Sequence, residues 1–195
     1  MRLFVAAFPP ADVRADLAQR VAGLRVTAAA GGGTRVRLTR DERRHITVAF
    51  LGDVPGERLP EVERAVQAAV RGHPGPAPRV RLAGGGCFGR GRSKVLWVGV
   101  TGDVGALAAL RTAVCGGLAA AGLPCDERPF TPHLTVAFPG DRVEAATVEA
   151  DRVALDGYRG PLWTVGSIVL VHSRLGAEAG YDVVRAWDLG GPAQD

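Results

Sequence analysis

The sequence has little cysteine, almost no lysine and no long apolar run. Its 195 residues include 3 cysteines, Cys87, Cys115 and Cys125, with no CxxC pair. An odd number of widely spaced cysteines is not typical of a disulfide framework or a zinc cage, so we expect three reduced thiols. No apolar run reaches the roughly 18 residues that a membrane helix needs, so we expect no membrane association.

The remaining composition is that of an ordinary globular protein. Hydrophobic residues make up 47% and charged residues 23% of the chain, which excludes a disordered, collagen-like or coiled-coil protein. The length predicts one domain over residues 1–195, in at most two lobes, and we expect a monomer. The apolar stretch in MRLFVAAFPP is too short for a signal peptide, which favours a cytoplasmic location.

The basic residues are almost all arginine and are unevenly distributed. Of 24 basic residues only Lys94 is a lysine. Residues 1–100 hold 17 basic against 8 acidic residues, a balance of +9, and residues 101–195 hold 7 against 12, a balance of −5. The planar guanidinium suits phosphate oxygens, so the first half indicates a phosphate-bearing partner such as nucleic acid. A GC-biased coding sequence would produce the same arginine content.

The order of strand and helix patterns repeats once along the chain. Residues 3–8 read as a strand, residues 13–24 as an amphipathic helix, and HITVAF from His45 as a second strand. The same order recurs in KVLWVGV from Lys94, a helix over residues 104–118, and HLTVAF from His133. The repeat predicts two similar strand–helix–strand halves, each with one histidine motif.

Glycine-rich stretches separate several of these elements. We expect a flexible connection at residues 28–33 and a loop over residues 84–93, GGGCFGRGRS, because glycine clusters usually mark loops. The tail runs LWTVGSIVLVHS and YDVVRAWDL lie on either side of a turn at residues 176–180, which predicts a hairpin that completes a sheet.

The two histidine motifs carry the chemistry. Side chains alternate across a strand, so His45 and Thr47 share one face, as do His133 and Thr135, while the apolar residues between them anchor the core. Two such faces across a cleft would bring together two imidazoles and two hydroxyls. Hydrolysis of a phosphodiester needs a base for the water proton and an acid for the departing oxygen, and paired histidines supply both. The threonines would orient the phosphate oxygens.

The motifs do not suit a metal site. Neither HITVAF nor HLTVAF contains an acidic residue or a second histidine, whereas zinc sites and two-metal sites need three or more ligands. We therefore expect catalysis without a metal or other cofactor.

The paired HxTx motifs resemble those of the two-histidine (2H) phosphoesterase superfamily. MRLFVAAFPP, GCFGRGRSKVLWVGV and RPFTPHLTVAF are similar to the bacterial and archaeal RNA 2′,3′-cyclic phosphodiesterases, historically called 2′-5′ RNA ligases. The resemblance implies a bilobal α+β fold, with antiparallel sheets lining a central cleft and helices outside. It implies metal-independent opening of a 2′,3′-cyclic phosphate to a 2′-phosphate, and a weak capacity to join RNA ends through 2′-5′ linkages.

One position departs from the family pattern. The family commonly has a phosphate-contacting arginine two residues beyond the x of the second HxTx motif, where this chain has Phe138. A substitute cation is expected among basic residues close in sequence to the motifs, with Arg128 and Arg90 the first candidates, and then Arg43, Arg44 and Arg92.

The remaining histidines and aromatics have mainly structural interpretations. His73 and His172 are expected to be structural, and the tryptophans are expected in the core. Phe88 either stacks on an RNA base or fills the core.

Three functions follow from these patterns. The first is hydrolysis of RNA 2′,3′-cyclic phosphate ends, with His133 as base and His45 as acid, or with the two roles reversed. The second is a noncatalytic module that binds RNA ends. The third is the same chemistry on 2′-5′ oligonucleotides or on a cyclic phosphate of an ADP-ribose derivative.

Overall fold

The computed structural model describes residues 1–73, 75–176 and 179–190. Their secondary structure alternates strands with helices, as the sequence patterns predict. The strands are β1 Arg2–Ala7, β2 Arg37–Leu38, β3 Ile46–Asp53, β4 Arg79–Phe88, β5 Val95–Gly102, β6 His133–Phe138, β7 Trp163–Thr164, β8 Ser167–Arg174 and β9 Gly180–Asp188. The helices are α1 Ala11–Ala22, α2 Arg25–Gly31, α3 Leu59–Gly72, α4 Val104–Ala120 and α5 Ala145–Asp156. None of the described helices is long and apolar enough to cross a membrane.

The strands form a curled antiparallel sheet in the order β7-β4-β5-β6-β3-β1-β8-β9, with the short β2 added beside β6. The two predicted halves appear as β6-β5-β4-β7 and β3-β1-β8-β9. They join through a single register pair, Ile46 with Leu134. The α+β class and the related halves are therefore confirmed, and the two predicted sheets are continuous with one another. The predicted tail hairpin is present as β8 paired with β9, and residues 177–178 of its predicted turn lie outside the described residues. The start of its first predicted strand is wrong, because Trp163–Thr164 form the separate strand β7 beside β4.

One face of the sheet is covered by the helices and forms the core. The apolar positions that recur along α1 and α4 are buried there, together with the inward residues of β3 and β6. Because Ile46 and Leu134 are fully buried, the alternating residues beside them are directed away from the core.

The glycine-rich segment is mostly strand, so the predicted loop over residues 84–93 is wrong for its first half. Strand β4 continues through Gly84 to Phe88 and pairs with β5. A side chain at Gly86 would overlap the ring of Trp97, and one at Gly85 would overlap α5. These glycines are required for close packing rather than for a turn, a distinction that local composition does not carry.

The flexible connection predicted at residues 28–33 is also largely wrong, because α2 extends to Gly31. Its first turn is held by Asp151 of α5, a buried residue only 2% exposed. The carboxylate accepts hydrogen bonds from the backbone N–H of Arg25 at 2.9 Å and of Val26 at 2.8 Å. A distant side chain thus satisfies donors that a helix start leaves without partners.

The cysteine prediction is wrong for two of the three residues. Cys115 on α4 and Cys125, which precedes β6, form a disulfide with their Cα atoms 5.6 Å apart, while Cys87 is free. The helix returns the chain onto itself within ten residues, so two cysteines that look widely spaced become neighbours.

Replacement of Asp151 tests the capping of α2. We expect Asp151→Ala to lower the free energy of unfolding by about 2–3 kcal/mol, because two N–H groups lose a charged acceptor in a buried position. Urea unfolding measures the change. The matched control Glu149→Ala, on the exposed side of the same helix, should cost much less, because exposed ion pairs contribute little. Equal losses would show that the cap contributes nothing.

Candidate functional site

The site lies where the two halves of the sheet meet. In the antiparallel register that pairs Ile46 with Leu134, His45 lies opposite Thr135 and Thr47 lies opposite His133. All four side chains line one cleft of about 730 Å³. The structure therefore brings together the four predicted residues as a quartet, with the two imidazoles at opposite corners.

A matching irregularity in each histidine strand shapes the rest of the cleft. The pairing of β3 with β1 shifts register between Ala49 and Thr47, and the pairing of β6 with β5 shifts between Ala137 and Thr135. Each shift leaves one residue unpaired and moves the following side chains to the other face. Phe50 and Phe138, each five residues after its histidine, consequently line the cleft.

The same hydrogen bond orients both imidazoles. His45 Nδ1–H donates to the Arg43 carbonyl oxygen at 2.7 Å, and His133 Nδ1–H donates to the Thr131 carbonyl oxygen at 2.7 Å. A carbonyl only accepts, so the proton must lie on Nδ1 in the neutral ring. Each Nε2 is then left to accept a proton when the ring is neutral and to donate one when it is charged.

His45 lies in aromatic surroundings that oppose its positive charge. Its ring stacks on Phe4, with centroids 4.8 Å apart, and meets the edge of Tyr181 at 5.5 Å. Burial, with a smaller contribution from positive charge on His133, lowers the pKa of His45 from its usual 6.5 to about 4, and the bond to Arg43 acts in the opposite direction. The ring is therefore neutral near pH 7 in the free protein.

His133 is packed in a similar way but against different rings. Phe88 meets it edge-on at 4.9 Å and Trp97 lies 5.6 Å away. Burial lowers the pKa of His133 as well, against the opposing effect of its bond to Thr131. Phe88 is 38% exposed, so it is not a core residue and can still offer an exposed ring beside the imidazole. Trp97, expected in the core, instead packs against the site.

The arginines that line the cleft are not Arg128 and Arg90, the first candidates for a substitute cation. Arg128 is exposed and pairs with Asp126 at 2.6 Å, and Arg92 pairs with Asp141 at 2.8 Å. Neither these two nor Arg90 lines the cleft. Arg44 is only 7% exposed and its guanidinium is directed to Asp41 and the Arg14 carbonyl. Of the suggested substitutes, only Arg43 reaches the cleft.

The arginines that line the cleft come from five different positions. They are Arg2, Arg37, Arg40, Arg43 and Arg174. Four of them belong to the basic first half of the sequence. Of the residues that the structure describes, those that line the cleft include no carboxylate. The arrangement favours an anionic ligand.

Sequence reasoning missed Arg37 because its partner is remote in the chain. Strand β2 places Arg37 directly beside Phe138 on β6, and its guanidinium lies over the phenyl ring, 4.1 Å from the centroid. The available signal was the pattern RVRL before the first motif, which alternates arginine with apolar residues as a strand does.

The two remaining histidines lie outside the cleft, as expected for structural residues. His73 comes directly after α3, and the His172 ring faces Asp182 on β9 at 3.8 Å; neither lines the cleft. Within the described ranges, no three His, Cys, Asp or Glu residues are grouped as a metal site would require.

An NMR titration of the imidazole C–H signals tests this electrostatic picture. We expect His45 to remain neutral until the pH approaches about 4, and to titrate below a free imidazole because burial disfavours its charged form. His133→Asn should raise the pKa of His45, since a neighbouring positive charge is removed. An unshifted His45 near pH 6.5 would contradict the burial.

Known proteins are similar to this chain in sequence and in fold. The family model for the 2′-5′ RNA ligase superfamily matches residues 5–177. An RNA 2′,3′-cyclic phosphodiesterase from Geobacillus stearothermophilus is 40% identical over 99 residues, which are 50% of this chain and 30% of that protein. One from Aeropyrum pernix is 34% identical over 106 residues, 54% of this chain and 58% of that protein. The chain thus spans less than two thirds of either relative.

Solved structures extend the similarity over almost the whole chain. The Thermus thermophilus protein TT0787 superposes with a TM-score of 0.69 at 28% identity, covering 98% of this chain and 99% of that one. E. coli LigT, in a complex with NADP+, superposes with a TM-score of 0.71 at 23% identity, covering 97% and 98%, and shows that the fold is shared. The family match, which includes both histidine motifs, decides the assignment: the chain belongs to the 2′-5′ RNA ligase superfamily.

Proposed function

We propose that this protein hydrolyses the 2′,3′-cyclic phosphate at RNA ends to a 2′-phosphate, using His45 and His133 and no metal. The observation that carries the proposal is the quartet at the sheet junction, in which two imidazoles with Nε2 available share a cleft with two threonine hydroxyls. The names of the two sequence relatives point to the same substrate.

The reaction requires one neutral and one protonated imidazole. His133 Nε2 takes a proton from water as the water oxygen forms a bond to phosphorus. The bond from phosphorus to O3′ breaks, and the His45 imidazolium gives its Nε2 proton to O3′. The product carries a 2′-phosphate and a free 3′-hydroxyl. His133 then returns its proton to solvent and His45 regains one, which restores the starting state.

The accessibility of His133 supports this division of roles, whereas the low pKa of His45 means that its protonation depends on the bound phosphate. His133 is the more accessible ring, where water can enter, whereas burial makes the His45 imidazolium the stronger acid. A bound phosphate anion raises the pKa of a nearby imidazole, so His45 acts as the acid only with the substrate bound beside it. Burial then favours loss of that proton to the leaving oxygen as negative charge develops there.

The threonines would hold the phosphate between the rings. Thr47 lies opposite His133 and Thr135 lies opposite His45, so each hydroxyl can donate to a nonbridging oxygen beside one imidazole. Donors placed in advance stabilise the charge of the transition state without reorganisation. The same step with the 5′-hydroxyl of a second RNA in place of water forms a bond from that oxygen to phosphorus, breaks the bond to O3′, and would join RNA ends through a weak 2′-5′ ligation.

Substitution of each histidine tests the mechanism. We expect His45→Ala and His133→Ala each to lower kcat by about 10²- to 10⁴-fold on adenosine 2′,3′-cyclic phosphate, because one proton transfer is lost. Excess chelator should leave the wild-type rate unchanged. His73→Ala, outside the cleft, is the control. Full activity of either cleft variant, or loss of activity on chelation, would overturn the mechanism.

A panel with 2′-5′ oligonucleotides and an ADP-ribose cyclic phosphate distinguishes the substrate class. If either compound is turned over faster than cyclic-phosphate RNA, that compound class and not the RNA end is the substrate. Binding of cyclic-phosphate RNA without turnover would identify a noncatalytic module instead.

Salt dependence tests the role of the basic cleft wall. Because arginines line the cleft, raising the salt concentration should weaken binding of an RNA longer than a few nucleotides far more than turnover of a cyclic mononucleotide. Each phosphate contact with a single strand adds about 0.7 to the slope of log K against log salt. KM values between low and moderate salt provide the measurement. Equal slopes for both substrates would contradict the role of the arginines.

A further inference from the structure

Arg37 is held on an aromatic ring at one end of the cleft. Strand β2 pairs Arg37 with Phe138, and the guanidinium lies over the ring at 4.1 Å. Stacking fixes the plane of the guanidinium while leaving its N–H edge available, the edge that matches two oxygens of a phosphate. The contact therefore orients a cation without consuming its hydrogen bonds.

No described residue competes for this guanidinium. Arg43 donates to the Ala179 carbonyl, and Arg174 pairs with Asp182. Arg37, by contrast, stacks on Phe138. Among the described residues, no carboxylate lies within ion-pair distance of its guanidinium. An arginine that lines a cleft without a carboxylate partner is suited to a ligand anion.

A second unused donor lies on the same segment. Thr39 lines the cleft, and its Oγ1 is buried without a hydrogen-bond partner among the described residues. Its backbone N–H donates to the Val136 carbonyl, which fixes the segment against β6. A buried hydroxyl without a partner is costly unless a ligand or water completes it. Arg40 lines the cleft as well, so residues 37–40 provide three polar groups.

This donor group is displaced from the catalytic quartet. Phe138 follows Thr135 by three residues along β6, which corresponds to about 10 Å at the usual strand rise. A phosphate centred on the two imidazoles would therefore leave Arg37 facing the next part of the substrate. In an RNA chain, that part is the phosphodiester that links the terminal nucleotide to the preceding one.

We propose that Arg37, stacked on Phe138, binds the phosphodiester that precedes the terminal nucleotide, so that the cleft prefers RNA ends to free cyclic mononucleotides. The inference rests on the proposed function, because it takes the quartet as the site of the cyclic phosphate. At the opposite end of the cleft Arg2 lies over Phe50 at 5.1 Å, and the described residues there include no counterpart of the unpartnered Thr39 hydroxyl.

The test compares two substrates that differ by one nucleotide. Adenosine 2′,3′-cyclic phosphate and the dinucleotide ApA ending in a 2′,3′-cyclic phosphate are assayed with wild type and Arg37→Gln. We expect Arg37→Gln to raise KM for the dinucleotide about 10-fold or more, and to affect the mononucleotide about 2- to 3-fold through the weaker cleft potential. Equal losses on the two substrates, or no loss on the dinucleotide, would overturn the proposal.

Two further comparisons separate a specific contact from a general loss of charge. A dinucleotide with a neutral methylphosphonate linkage removes the anion instead of the cation, so Arg37→Gln should have little additional effect on it. Arg35→Gln removes the same charge from the same segment outside the cleft lining and should behave as wild type. A tenfold loss in Arg35→Gln would overturn the assignment to Arg37.

A rescue variant and a binding measurement complete the design. In Arg37→Gln/Phe138→Arg the cation returns to the neighbouring position, and the preference for the dinucleotide should recover.

If wild type hydrolyses neither substrate, the proposed function fails, but the inference is still decided by calorimetry. Wild type should then bind ApA ending in a 2′-phosphate more tightly than adenosine 2′-phosphate, and Arg37→Gln should lose that difference; an unchanged difference would refute it.

Discussion

The antiparallel junction between β3 and β6 is the constraint on which the site depends. A single register pair, Ile46 with Leu134, joins the two halves of the sheet and buries both side chains. Because side chains alternate along a strand, this pair directs the histidines and threonines to the opposite face. A slip of one residue at the junction would disrupt the quartet of histidines and threonines and expose the core. The register that buries the core is therefore also the register that assembles the quartet.

Burial and charge act against each other in the cleft. The aromatic rings around His45 and the desolvation that they impose hold its pKa near 4 in the free protein, while the surrounding arginines attract anions. An arriving phosphate supplies the negative charge that the imidazolium lacks. In the proposed mechanism, substrate binding and protonation of His45 are therefore linked.

The repeated histidine motif explains why much of this site can be predicted from the sequence. HITVAF and HLTVAF identify two imidazoles and two hydroxyls, and strand alternation places each pair on one face. The errors have a common cause. Gly85 and Gly86 serve close packing, Asp151 caps a remote helix, and Cys115 meets Cys125 because a helix returns the chain. Each depends on a neighbour in space that local composition does not reveal.

The sequence by itself determined that two imidazoles and two hydroxyls form matching pairs on strand faces, since residue type and strand period are local properties, and it placed the positive charge in the first half of the chain. Only the tertiary structure decided which arginines serve the cleft. Arg128 lies near His133 in the chain, yet its guanidinium is held by Asp126. Arg37 is remote from that motif, yet strand pairing places it on Phe138. The physical reason is that pairing between distant strands, and not proximity along the chain, decides which side chains share a face.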